Sequence, residues 1–201
     1  MTNERREKLL NVLAKRQNSL TVVLENVFDP HNISAVMRTA DSVGIQELFI
    51  LNTRIAPHKR WGAKSSSSAA GWLTIRQFTD AGECFSALRL AGYTILTTHL
   101  AENSVGLYEL DLTRKLALVF GNEREGVSEE IRALADGNFI IPQAGIIQSL
   151  NISVACAVTL YEAYRQKQQA GHYATPQITG AAAKELLLHW GMHEGEVPDN
   201  I

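Results

Sequence analysis

The chain is nearly without cysteine. Cys84 and Cys156 are its two. They stand far apart, each in apolar surroundings. That excludes a disulfide scaffold and points to reduced core thiols in a cytoplasmic protein. Long hydrophobic runs are also missing: no apolar stretch reaches the ~18 residues of a membrane span. The opening segment, Met1-Thr-Asn-Glu-Arg-Arg6, leads into an amphipathic pattern and not into the apolar centre of a signal peptide. No membrane partner is expected. Charge of one sign is lacking as well. A net charge of −2 excludes binding to nucleic acid through bulk charge and leaves only local patches for that purpose. Two patches exist. One is Arg5, Arg6, Lys8, Lys15 and Arg16 near the start; the other is Arg54, Lys59, Arg60 and Lys64, with no acid among them.

Several site fingerprints are absent too. No Gly-x-Gly-x-x-Gly follows a strand, which excludes a dinucleotide site. The run Phe120-Gly-Asn-Glu-Arg-Glu-Gly-Val-Ser128 has the spacing Gly121-x-x-x-x-Gly126 of a phosphate loop. However, Val127 occupies the place of the lysine, and Glu123 and Glu125 would repel a triphosphate. There is no Gly-x-Ser-x-Gly, and neither cysteine has a histidine at motif spacing. His189 and His193 lack a second pair of ligands, so no metal is expected.

What is present is a 201-residue chain, 45% hydrophobic, enough for one sizeable core with appended helices. A helix is expected over 3–17. Leu20 to Asn26 reads as a strand, Asp29-Pro30 as a turn, and Asn32 as the N-cap of a helix ended by Gly44. In that helix Ile33, Val36, Met37, Ala40 and Val43 share one face. Arg38 lies about 160° from its centre at ~100° per residue, outside the core. Further strands are expected at 47–52, 72–78, 93–98 and 116–120, and helices at 80–91 and 128–135. The segment 64–71 reads as flexible or ordered only by a partner. The chain is then organised around Phe139 to Tyr161: a short buried strand ending at Ile141, a stop at Pro142, a Gly-centred loop, and a long helix. Ser149 and Asn151 are both good N-caps for that helix. Its small residues, Ser153, Ala155, Cys156 and Ala157, imply close packing by a neighbour. A last amphipathic helix over 179–190 needs a surface to cover.

Alternating strands and helices predict an α/β fold with a mostly parallel sheet. In such sheets ligands bind beyond the strand C-termini. Asn32, Arg38, Glu123, Ser149 and Asn151 all share that address. A loop leaving a strand for a helix N-terminus also collects backbone N–H groups, which suits a ligand read by the backbone.

Three segments read together carry a resemblance: Asn32-Ile-Ser-Ala-Val-Met-Arg38, Leu118 to Glu130, and Ile141 to Ala155. In order and spacing they resemble the signature motifs of the SpoU family of RNA ribose 2′-O-methyltransferases, in the SPOUT superfamily. The short basic N-terminal helix and the C-terminal extension look most like its TrmH type, which acts on guanosine 18 of the tRNA D-loop. The resemblance implies a C-terminal trefoil knot, S-adenosylmethionine as cofactor, a homodimer, tRNA as partner and no DNA. It implies cofactor contacts at Thr98, Gly121, Ile141 and Leu150, and a catalytic set of Arg38, Asn32, Glu123, Ser149 and Asn151. It also implies a basic helix over 1–18, a catalytic domain over 19–170 and a helical extension over 171–201. Arg5, Arg6, Lys8, Lys59, Arg60 and Lys64 are then expected to grip RNA. Ribosomal RNA as substrate, a non-catalytic RNA-binding protein, and an enzyme on a small metabolite remain as alternatives.

Overall fold

A computed structural model describes residues 1–58, 69–99, 104–147, 149–199 and 201. Lys59, Arg60 and Lys64 lie outside the described residues.

The centre of the molecule is β1 (Leu20–Glu25), whose six residues are all buried. A strand covered on both faces needs no polar alternation, and Leu-Thr-Val-Val-Leu-Glu has almost none. It pairs in parallel with β2 (Glu47–Leu51) on one side and β6 (Leu116–Phe120) on the other. Beyond β2 lies β3 (Thr74–Phe78). Beyond β6 lie β4 (Thr94–Thr98), β7 (Gly137–Ile140) and β5 (Val105–Gly106). Among the described residues this makes a seven-stranded sheet, ordered β3-β2-β1-β6-β4-β7-β5, with every neighbouring pair parallel.

Helices cover both faces. On one, α2 (Pro30–Ser42) and α5 (Ile152–Gln169) pack with Val22, Leu24, Leu48 and Leu118 of the sheet. On the other, α3 (Ala81–Leu90) and α4 (Glu129–Leu134) pack with Val23, Phe49 and Val119. Odd and even strand positions thus feed different cores, as the pleat requires. Cys84 and Cys156 are buried free thiols, one in each core.

Some local expectations need correction. The cap of α2 is Asp29, whose carboxylate accepts from His31 N at 2.8 Å, and not Asn32. Pro30 takes the first helical position, where its fixed φ suits it and its missing N–H leaves nothing unpaired. Likewise Asn151 alone caps α5; Ser149 lies in the loop before it. Ala69–Gly71 forms a 3₁₀ turn with Ala69 buried, so that end of the serine segment is built into the fold. Strand β3 starts later than expected, and β5 has two residues, too few for any periodicity to announce.

The first helix, α1 (Asn3–Leu13), and the last, α6 (Gly180–His189), cover one another. Leu9 and Leu13 pack with Ala183, Leu187 and Trp190 in a third cluster. Arg16 belongs to this joint and not to a solvated basic face. It is 1% exposed, pairs with Asp41 at 2.6 Å and stacks 5.2 Å from the Trp190 ring.

Candidate functional site

The sheet positions a cavity of about 650 Å³ beyond the C-terminal ends of β4, β6 and β7. Its apolar wall includes Phe120, Phe139 and Ile152. Phe120 and Phe139 meet edge to face, centroids 6.3 Å apart, the arrangement that aromatic quadrupoles favour. Thr98, Gly121, Ile141 and Leu150, the positions expected to hold a cofactor, all line it, as does Ser149. Thr98 commits its hydroxyl to Val119 O at 3.2 Å, so its part in the lining is fixed by the sheet.

The loop after β6 is shaped by its glycines. A Cβ on Gly121 would stand 1.9 Å from the carbonyl carbon of Gly126. Only glycine allows the loop to fold back this tightly. Gly126 sits at φ 70°, in the left-handed region open to glycine. Asn122 and Gly126 exchange N–H···O bonds of 3.1 Å, and the Asn122 side-chain oxygen accepts from Arg124 N and Glu125 N. This tight closure carries Glu123 and Arg124 at its tip.

Glu123 then joins three loops. Its Oε1 accepts from Asn32 Nδ2 at 2.7 Å and its Oε2 from Phe28 N at 3.3 Å. Asn32 Oδ1 accepts from Asn151 Nδ2 at 3.2 Å. Asn151 Oδ1 accepts from Ser153 N at 2.8 Å. The donors all point one way along this chain, and the series ends on a carboxylate, which can only accept when ionised. Each link is a modest bond. Together they fix the loops after β1, β6 and β7 relative to one another, in the manner of a cooperative polar network.

Arg38 is exposed on α2 and is not among the lining residues of the cavity. It lies six residues beyond Asn32, about 9 Å along the helix axis. Of the expected RNA contacts, Arg5 and Lys8 are exposed on α1, whereas Arg6 donates from Nε to Glu196 O at 2.8 Å.

Sequence reasoning missed two features. His99 lines the cavity at the end of β4. Arg132 Nη1 lies 2.6 Å from His99 Nε2. A guanidinium can only donate, so Nε2 is the acceptor and the ring proton sits on Nδ1. Desolvation, and then the charge of Arg132, lower its pKa below the usual histidine value. The neutral ring is therefore favoured at the site. Glu25 and Asn26, ending β1, are the second feature, both buried. Glu25 Oε2 accepts from Ser128 N at 2.9 Å, at the start of α4. Asn26, at φ 49°, turns the strand into the loop that carries Phe28. The polar end of an otherwise apolar strand was the only signal for either.

An apolar-walled cavity with a polar, backbone-rich rim, at the C-terminal edge of a parallel sheet, defines an α/β enzyme that holds a small organic ligand. The class becomes specific on comparison. Residues 19–161 match the SpoU rRNA Methylase family, and the chain belongs to that family. It is 42% identical over 190 residues to a tRNA (guanosine(18)-2′-O)-methyltransferase of Thermus thermophilus, covering 94% of this chain and 96% of the relative. Among solved structures, the A. aeolicus TrmH/SpoU tRNA modifying enzyme superposes with a TM-score of 0.86 at 35% identity, over 93% of this chain and 94% of that one. The SpoU methyltransferase AviRb from Streptomyces viridochromogenes, in complex with the cofactor AdoMet, gives a TM-score of 0.67 at 29% identity, over 79% and 62% of the two chains.

Proposed function

We propose that this protein transfers a methyl group from S-adenosylmethionine to the ribose 2′-hydroxyl of guanosine 18 in tRNA, acting as a homodimer in the cytoplasm. The observation that carries the reading is the hydrogen-bonded series Asn151–Asn32–Glu123, which ties three loops together beside the cavity. The relative named for that reaction, matched over nearly its whole length, selects the substrate.

The cavity fits the cofactor. Its volume lies in the range for such ligands, and its wall is aromatic and aliphatic on one side. The irregular segment around Ile141 and Leu150 offers backbone groups on the other. Thr98, Gly121, Ile141 and Leu150 would hold it there, largely through main-chain atoms. When bound, the sulfonium supplies an electrophilic methyl group. The chain's own residues then have to align one oxygen with it. Glu123 holds Asn32 in place, and Asn32 in turn accepts from Asn151. Ser149, on the same rim, offers a hydroxyl to the ribose. Arg38 grips the phosphate beside the target ribose through its forked N–H groups and stabilises the 2′ oxygen as its proton leaves. A guanidinium is a poor proton acceptor at any ordinary pH, so charge stabilisation is its physical role. With the cofactor bound, these residues would hold the 2′ oxygen in line with the transferable methyl group, and Arg38 would stabilise the charge left on that oxygen as its proton is lost.

The segment from β7 to α5 is read as the trefoil knot of the superfamily, with 19–170 as the catalytic domain. RNA is gripped by Arg5, Arg6, Lys8, Lys59, Arg60 and Lys64.

The test is methyl transfer from labelled S-adenosylmethionine to an unmodified tRNA transcript, mapped by protection from alkaline cleavage. Protection at guanosine 18 alone is expected. Label appearing only in ribosomal RNA would replace the substrate. Arg38→Ala is expected to lower kcat by about 10² or more, with cofactor affinity unchanged. Equal loss of both would refute the role given to Arg38.

A further inference from the structure

Beside the loop that brings Glu123 and Arg124 to the cavity, a large apolar side chain stands in the open. Phe28 is 45% exposed, yet its backbone is held at every step. Asn26 N donates to Leu51 O at 2.8 Å, and Asn26 Oδ1 accepts from Arg54 N at 2.9 Å. Val27 is buried, and its carbonyl meets His58 Nε2 at 2.8 Å. Phe28 N itself donates to Glu123. Asp29 caps α2, and Pro30 begins it. The ring is therefore presented by a fixed loop. Arg124 lies over it, guanidinium carbon 5.1 Å from the ring centroid, and Arg124 also lines the cavity.

The ring is also tied to the chemistry. The carboxylate that accepts from Asn32 is the one that accepts from Phe28 N. Phe28 is thereby fastened to the loop that carries Glu123 and Arg124 at its tip. Unpaired bases are bound by stacking on aromatic rings and on guanidinium planes. Phe28 and Arg124 provide both, adjoining, with a positive charge that also favours a phosphate.

We propose that Phe28 and Arg124 form a stacking platform for an unpaired RNA base next to the methylated nucleotide. This rests on the reading of the protein as an RNA ribose methyltransferase. Phe28, which is not among the residues lining the cavity, adds affinity and register for RNA from outside the cofactor's place.

Four substitutions test it: Phe28→Ala, Phe28→Leu, Phe28→Tyr and Phe28→Trp, assayed with the tRNA transcript. Loss of one base stack corresponds to about a tenfold rise in KM. Phe28→Ala is expected to show that rise, with cofactor affinity, thermal melting and particle mass unchanged. Phe28→Tyr is expected to restore KM, and Phe28→Leu, which keeps bulk without a π face, is not. The fluorescence of Phe28→Trp, relative to the parent protein, is expected to fall when tRNA is added. Unchanged KM in Phe28→Ala overturns the platform while leaving the methyltransferase intact. So does full rescue by leucine, or a KM change that tracks dissociation into monomers. If the parent protein transfers no methyl to any RNA, the functional reading fails and the platform fails with it.

Discussion

Gly121 shows how much one hydrogen atom can decide. The loop after β6 closes over its α-carbon with no room for a methyl group, because a Cβ would lie 1.9 Å from main-chain atoms of Gly126. Backbone cannot step aside as a side-chain tip does. Gly121→Ala is therefore expected to lower stability by about 1–3 kcal/mol and to weaken cofactor binding by more than tenfold. Thermal melting and calorimetric titration measure the two effects separately. At this scale the sequence was partly legible. Asn32, Glu123 and Asn151 could be singled out because polar groups after buried strands have few reasons to be there. Their actual partners could not. Asn32 looked like a cap, yet Asp29 caps the helix and releases the Asn32 amide for Glu123 and Asn151. Pairing between residues about 90 or 120 positions apart leaves no local trace. Arg16 misled for the same reason, being buried by Trp190 and Asp41 from distant segments.

Among the elements, α5 bears on both edges of the sheet. Asn151 caps it at the cavity. Near its other end Lys167, fully buried, donates to Ser19 Oγ at 3.0 Å and to Thr113 O at 3.1 Å. Those residues lead into β1 and β6. The helix is thus fastened to the entrances of the two central strands, while its first turn holds the site at their exits. Burial lowers Lys167 from 10.5 to about 8, against a smaller opposing pull from Asp111. Above about pH 8 the folded chain loses this proton, while the unfolded chain keeps it until near pH 10.5. More protons on the unfolded state mean that this group makes stability rise with pH across that window. Lys167→Met is expected to abolish that rise, which urea melts at several pH values across it would register as a flatter dependence than the parent's. Helices and strands were the most legible layer of the sequence. Apolar run length, Gly44 after α2 and Pro142 after β7 mark their limits well. The two-residue β5 and the turn at Ala69–Gly71 were not legible, since both owe their form to neighbours rather than to pattern.

For the whole molecule, the unexplained surface is the outer side of α5. Val154 and Tyr161 are exposed at 47% and 54%, and seven residues apart they share one face of the helix. Apolar groups aligned in this way are characteristic of an interface. The proposed homodimer is expected to scatter light at twice the chain mass at micromolar concentration, and Val154→Asp to convert it to the single-chain mass. A parent protein already at the single-chain mass would refute the dimer. Assembly and chain threading are where sequence physics fell silent. The general rule disfavours knots, and only resemblance to a family suggested one here.

The order of strands also dictates a timetable. No strand of this sheet pairs with its immediate successor through a tight hairpin, so every ladder closes a long stretch of chain. As the polypeptide is synthesised, β3, β2, β1, β6 and β4 can assemble once residue 120 has emerged. Strand β5, made earlier than β6, must wait for Phe139 and Ile140 because β7 is its sole neighbour in the described sheet. The cavity needs Ile141 to Ile152 after that. Until then the growing chain carries an unpaired edge at β4, and the face that α5 covers stays partly open. That interval, rather than the finished native state, is when a wrong strand pairing is easiest.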